Sequence, residues 1–273
     1  MAAGVFVQDI GTLQGTNSSV TTWTYTGITV TAGIPNSALL FFLNHNASAN
    51  PTGITVTWDS GGTNQAMTLI GSATAIGIRA RMYALLSPTP GNKNLVVSWT
   101  TADTVGGSAL SMGGVLQTSI AAAFVNMVAS SFSSTTSPSL TVTTSQPNTD
   151  MVLAQATNNA AFTGSPGGLN LWNGLMWTGG YYANCGAVTS TGSSQGFTWA
   201  LGAASSGSLI GTEVLWDGVT GGPIGQVPML EGRLRGAAPL GMGRVMPGNA
   251  SMVIPAVAPP VVGGSTLPMM GVG

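Results

Sequence analysis

A period of two restricts this chain more than any other feature. Residues 76–84 read Ile-Gly-Ile-Arg-Ala-Arg-Met-Tyr-Ala. In an extended backbone Ile76, Ile78, Ala80, Met82 and Ala84 point one way, and Arg79, Arg81 and Tyr83 the other. The first face is expected to belong to a core. Similar runs rich in Thr, Val and aromatics recur along the chain: Val5 to Ile10, Val20 to Val30, Ser37 to Asn44, Ile54 to Trp58, Met67 to Ile70, Leu95 to Thr100 and Ala109 to Gln117. Ala123 to Phe132, Ser139 to Thr144, Met151 to Thr157, Tyr181 to Thr189, Gly196 to Leu201 and Ser208 to Trp216 follow. Turn signals separate them, among them Asp59-Ser60-Gly61-Gly62 and Gln146-Pro147-Asn148-Thr149-Asp150. So many short strands without a helical stretch predict an all-β fold, a jelly-roll-like antiparallel β-sandwich over residues 1–217. Residues 162–180, crowded with Gly, Pro and Trp, read as a long loop or an inserted hairpin.

Aromatic residues stop at Trp216. Because aromatics supply much of a core's burial, the remaining segment is not expected to fold alone. Residues 218–273 instead hold 8 of the 15 prolines, 13 of the 40 glycines and 6 of the 13 methionines. This composition predicts an extended, largely irregular arm that binds a neighbouring subunit. Its spaced apolar residues Ile224, Val227, Met229, Leu230, Leu234, Leu240, Met242, Met246, Met252 and Ile254 would fill pockets there, with Arg233, Arg235 and Arg244 adding positive charge. The arm carries a net +2 (three Arg, one Glu) and the body −3 (three cations, six acids), so an acidic patch on the partner would complement the arm.

The succession Gly53-Ile54-Thr55-Val56-Thr57-Trp58, Gln65-Ala66-Met67-Thr68-Leu69, Arg81-Met82-Tyr83-Ala84-Leu85, Asn94-Leu95-Val96-Val97-Ser98-Trp99 and Ala109 to Val115 resembles jelly-roll-type β-sandwich modules of phage virion proteins and of bacterial surface proteins. The likeness continues through Ser139 to Thr144 and Ile210 to Val214. It implies a fold and a habit of display or adhesion.

Charge narrows the function classes. Asp, Glu, Lys and Arg make up 5% of the chain, against about 25% in ordinary soluble domains. With a formal net charge of −1, the surface has little electrostatic reason to stay apart from others, so a homo-oligomer or a larger assembly is expected. Nucleic-acid binding would need a basic patch that this composition does not supply. The N-terminus has no basic segment of the kind that opens a secretory signal, and the apolar run Ala38 to Leu43 is too short to span a bilayer as a helix. The single Cys185 excludes an intramolecular disulfide.

Little in the sequence carries chemistry. His45 is the only histidine and reads as a strand-end residue. Asp59, Asp103 and Asp150 occupy turn contexts. Gly241-Met242-Gly243 lacks the third glycine of a dinucleotide motif. No catalytic residue, metal or cofactor is expected. Trp172, Trp177, Tyr181 and Tyr182, interspersed with Asn170, Asn173 and Asn184, form the one candidate glycan site, with core packing the competing role for the same rings. The expectation is a non-enzymatic virion structural protein, a capsid decoration or cement protein made in the host cytoplasm. Its partners would be the major capsid protein or copies of itself. The alternative is a carbohydrate-binding or adhesive module of a tail fibre or cell surface.

Overall fold

The computed structural model describes residues 4–16, 18–46, 51–75, 77–177 and 180–218. Ile76 and the arm residues from Ile224 to Ile254 named above lie outside this range. The described chain is essentially all-β, built from several antiparallel sheets.

Its first half contains β1 (Phe6–Ile10), β2 (Gln14–Gly15), β3 (Val20–Val30), β4 (Ala38–Asn46), β5 (Thr55–Trp58), β6 (Gln65–Ala66), β7 (Thr68–Ala75), β8 (Ile78–Leu86), β9 (Gly91–Asp103) and β10 (Val105–Gly113). A single helical turn, α1 (Ile120–Ala123), capped by the Ser119 side chain, leads to the second half. There follow β11 (Phe124–Thr135), β12 (Ser139–Val142), β13 (Pro147–Asn158), β14 (Phe162–Gly164), β15 (Leu169–Trp177), β16 (Tyr181–Thr191), β17 (Gln195–Thr198), β18 (Ala200–Leu201) and β19 (Ser205–Val214). The segment left open between loop and hairpin is therefore largely strand: β15 pairs antiparallel with β16.

The two halves repeat one strand order. In the first, a large sheet runs β1-β10-β4-β8-β7 and a smaller one β3-β9-β5-β6. In the second, the large sheet runs β11-β19-β13-β16-β15. Its small strands pair β12 with β17 and β14 with β18. Only Trp199 separates β17 from β18, so together they occupy the place that β9 takes in the first half. The large sheets also meet in an exchanged sense. Strand β7 lies against β11 and β19, while β15 lies against β10 and β2.

Three apolar clusters follow from this arrangement, and β4 shows why. Its run Ala-Leu-Leu-Phe-Phe-Leu is buried throughout, as expected of a strand covered on both faces. Leu39, Phe41 and Leu43 pack with Tyr25, Trp58 and Val97 of the first half's small sheet. Ala38, Leu40 and Phe42 point the other way and pack with Leu153, Trp172 and Ile210 of the second half. A third cluster, including Leu140, Val152, Phe197 and Trp199, lies within the second half. Alternation in β8 is likewise two-sided. Ile78, Ala80, Met82 and Ala84 face the junction between halves, whereas Tyr83 and Leu85 belong to the first half's own cluster. The face expected to be the core is one of two.

Close approach explains particular glycines. A Cβ on Gly107 would stand 2.2 Å from the Phe42 carbonyl oxygen, and one on Gly207 would stand 2.1 Å from that of Thr157. In the turn after β5, Asp59 adopts a left-handed φ of 53°, and its carboxylate accepts from the Thr63 amide at 3.0 Å and from Lys93 at 3.2 Å.

Candidate functional site

Polar side chains gather at one end of the first half's cluster. β4 ends with Asn44-His45-Asn46, β8 begins Ile78-Arg79-Ala80-Arg81, and β9 ends on Asp103. His45 lies opposite Arg79 in one pairing and opposite Val105 in the other. His45 and Asp103 are buried, while Arg79 and Arg81 keep partial exposure.

The hydrogen bonds fix the histidine's proton. Arg81 Nε donates to His45 Nε2 at 3.2 Å, so Nε2 is an acceptor. The proton therefore sits on Nδ1, which lies 3.2 Å from Asp103 Oδ2 and donates to it. Burial, with the Arg81 charge second, pushes the His45 pKa down to about 4. Burial pushes Asp103 up to about 6, against the Thr104 amide and Arg79, which favour its charged form. At neutral pH the cluster thus holds a neutral imidazole, an aspartate and two guanidinium groups. This arrangement does not make a nucleophile-activating base. The ring nitrogen that would take a proton is occupied by Arg81, and among the described residues no Ser or Cys side chain bonds to His45. Nor do three His, Cys, Asp or Glu side chains converge among the described residues in a way that would hold a metal ion.

The aromatic candidates are divided between environments. Trp172 and Trp177 are 6% and 4% exposed and belong to the junction cluster. Trp172 donates through Nε1 to Gln155 Oε1 at 3.1 Å and meets Phe42 edge-on at 5.2 Å. The Trp177 ring centre is 4.9 Å from that of Tyr181. Tyr182 packs against the second half's cluster instead, as the alternation of β16 requires. The four rings form no common face, and two of them are covered by protein. Cys185 is also in the junction, where burial raises its thiol pKa well above the ordinary range.

Sequence reasoning missed a polar network in that junction. Asn44 Oδ1 accepts from Gln155 Nε2 at 3.0 Å and from Thr157 Oγ1 at 2.9 Å, joining the two halves through buried groups. The available signal was Asn44 closing an otherwise apolar run, matched by Gln155 and Thr157 in β13. It also missed a buried acidic pair. Glu213 accepts from the Ser145 amide at 2.7 Å and from Asn126 at 2.8 Å. Asp150 accepts from the Trp216 amide at 2.8 Å. Burial, followed by the Glu213 charge, raises the Asp150 pKa. These carboxylates tie the end of β19, and the Trp216 that follows it, to Ser145 and to β13.

Comparison with family models, curated proteins and solved structures finds no match.

Proposed function

We propose that this chain is a non-enzymatic structural protein of a virus particle, a decoration or cement protein whose residues 218–273 bind neighbouring subunits. The observation that carries the reading is the repeated strand order. With eight main strands counted in each half, the large sheets run 1-8-3-6-5 and the small ones 2-7-4. We read each half as a jelly-roll-like β-sandwich, and the body as two such modules joined face to face. A block with three stacked apolar clusters suits a role in which a fixed shape, and not a reacting group, is what the protein supplies. Its low charge offers little repulsion to close association. An arm with many small apolar contacts would then add affinity through several attachment points. Deleting residues 218–273 and measuring copies per purified particle by mass spectrometry tests this. Loss of the truncated protein from particles is expected. Unchanged occupancy, or absence of the full chain from particles, would refute the proposal.

One observation favours the carbohydrate-binding alternative. A cleft of ≈ 400 Å³ is lined by Gly77, Ser134, Asn159, Ala204, Ser205 and Ser206, none of them charged. The Tyr181 hydroxyl lies near Gly77. Hydroxyls and an amide beside one aromatic suit a neutral sugar. Saturation-transfer NMR with glucose, galactose and N-acetylglucosamine decides: no transfer from any of them would remove this reading.

A further inference from the structure

The small sheet of the second half is one strand short. In the first half β6 pairs with β5 on the side away from β9, which widens the small sheet to β3-β9-β5-β6. β14 takes the place of β5 in the second half, where among the described residues it pairs with β18 alone. The connections explain the difference. Residues 59–67 lie between β5 and β7, enough for a turn and β6, whereas β14 is joined to β15 by Ser165-Pro166-Gly167-Gly168. Proline cannot donate to a ladder, and Gly167 and Gly168 take left-handed φ values of 91° and 68°. β14 is left with an open edge.

The surface beside that edge is bare. β12 packs against β11 and β19, and β14 against β16, so the next position in the small sheet lies over β15. On this face β15 presents Asn170, Asn173 and Leu175, opposite Gly186, Asn184 and Tyr182 of β16. All three are exposed, Leu175 by 47%, although Tyr182 beside them packs on the second half's cluster. Asn184, opposite Asn173, is fully buried, and neither its Nδ2 nor its Oδ1 has a partner. An open strand edge beside amides and an uncovered leucine fits an extended peptide strand, whose backbone supplies donors and acceptors and whose alternate side chains supply apolar cover. Residues 162–175 carry no charge, so a charged segment would lose hydration there without gaining a counter-charge.

One run in the arm meets these requirements. Beyond Gly218, Asn249-Ala250-Ser251-Met252-Val253-Ile254 is the longest stretch without glycine or proline, and it is uncharged. Its length is that of an ordinary strand, about 5–6 residues. Extended, it puts Ala250, Met252 and Ile254 on one face and Asn249, Ser251 and Val253 on the other. We propose that residues 249–254 of a neighbouring copy add to the free edge of β14 as the strand that the second half lacks, with Met252 and Ile254 covering Leu175 and Tyr182. The inference rests on the reading of residues 218–273 as an arm that binds neighbouring subunits, and it names the surface that receives the arm.

Cross-linking between copies of the full-length protein tests this. One sample carries Thr163→Cys, at the exposed centre of β14, and another carries Ser251→Cys. The two are mixed and oxidised, the native Cys185 being buried. A disulfide-linked dimer that mass spectrometry maps to these two positions is expected, in excess over a control in which Thr21→Cys, exposed on β3, replaces Thr163→Cys. Met252→Asp with Ile254→Asp in the Ser251→Cys chain should abolish it, because both aspartates would have to leave water. Hydrogen exchange guards against a cysteine that disturbs the edge: without added cysteines, the same two aspartates should accelerate exchange in residues 162–164. The proposal is overturned if the dimer forms no more than in the control, if it survives the aspartates, if exchange in residues 162–164 is unchanged by them, or if a chain carrying both cysteines links only to itself. Absence of the link together with loss of the truncated protein from particles would overturn this docking site alone. The link together with unchanged particle occupancy would overturn the particle role alone.

Discussion

Phe41 and Phe42 are neighbours on β4, both fully buried, yet they serve different clusters. Replacing each by alanine tests whether the body is two modules with a shared junction. Each substitution removes the same atoms and should cost about 3–5 kcal/mol. Both also lose aromatic contacts, Phe41 with Tyr25 at 5.6 Å and Trp23 at 6.2 Å and Phe42 with Trp172 at 5.2 Å, a further loss of about 0.5–1.5 kcal/mol per pair. For a body of this size a loss of about 4 kcal/mol lowers the Tm by about 8–16 °C. The distinguishing readout is hydrogen exchange resolved along the chain. Phe41→Ala should accelerate exchange mainly in β3, β5 and β9. Phe42→Ala should accelerate it on both sides of the junction, in β8 and β10 and also in β13 and β16. If both variants loosen only the first half, or if Phe42→Ala costs less than about 1 kcal/mol, far below the usual range for a buried phenylalanine, the junction does not couple the halves and the reasoning fails.

Three further outcomes follow. Asn44→Ala removes the acceptor of the buried Gln155 and Thr157 donors, and Thr157→Val removes both a donor to Asn44 and an acceptor of Gln155, so each should cost about 1–3 kcal/mol in urea unfolding. In pH titrations the folded-state pKa of His45, about 4, lies below its ordinary 6.5, so its contribution is complete above 6.5 and is lost as pH falls towards 4. Asp103, raised from 3.8 to about 6, acts oppositely: its burial penalty is full above 6 and relieved as pH falls towards 3.8. Their contributions should nearly cancel between pH 4 and 6, and Asp103→Asn should uncover a decline on the acid side, read from chemical denaturation at a series of pH values. Finally, Gly107→Ala and Gly207→Ala each drive a methyl into a backbone carbonyl and should destabilise by about 3 kcal/mol or more by thermal unfolding, while Gly196→Ala, where a Cβ meets nothing within 4 Å, should be far milder.

How much of this was legible depends on which physical signal carried it. Strand positions follow from local alternation and turn chemistry, so Val20 to Val30 coincides with β3 residue for residue. The number of covered faces does not follow. In β8 the arginines mimic a solvent face, because a sequence does not say that His45, thirty-six positions earlier, will meet Arg81. The division of the aromatic rings between two environments was hidden for a related reason. Tyr181 and Tyr182 are adjacent in sequence and therefore opposite in a sheet. Repetition of strand order was hidden as well, since residues that face the junction from the two halves, such as Phe42 and Gln155, share no chemistry. Pairing order belongs to the backbone, and different side chains can support it. Asp59 was legible, because an Asp-Ser-Gly-Gly turn satisfies its carboxylate within a few residues.

The repeated strand order has a consequence for change over time. In a symmetric pair made from two identical chains, every substitution arrives twice, and a charge placed near the interface must be tolerated in both copies. When the two copies lie on one chain, each is free to drift. Here the end of one half has gathered guanidinium, imidazole and carboxylate groups, whereas the corresponding strand β16 carries Tyr182 and Asn184 where β8 carries its arginines. One half can change its buried polar groups while the other keeps the same strand order.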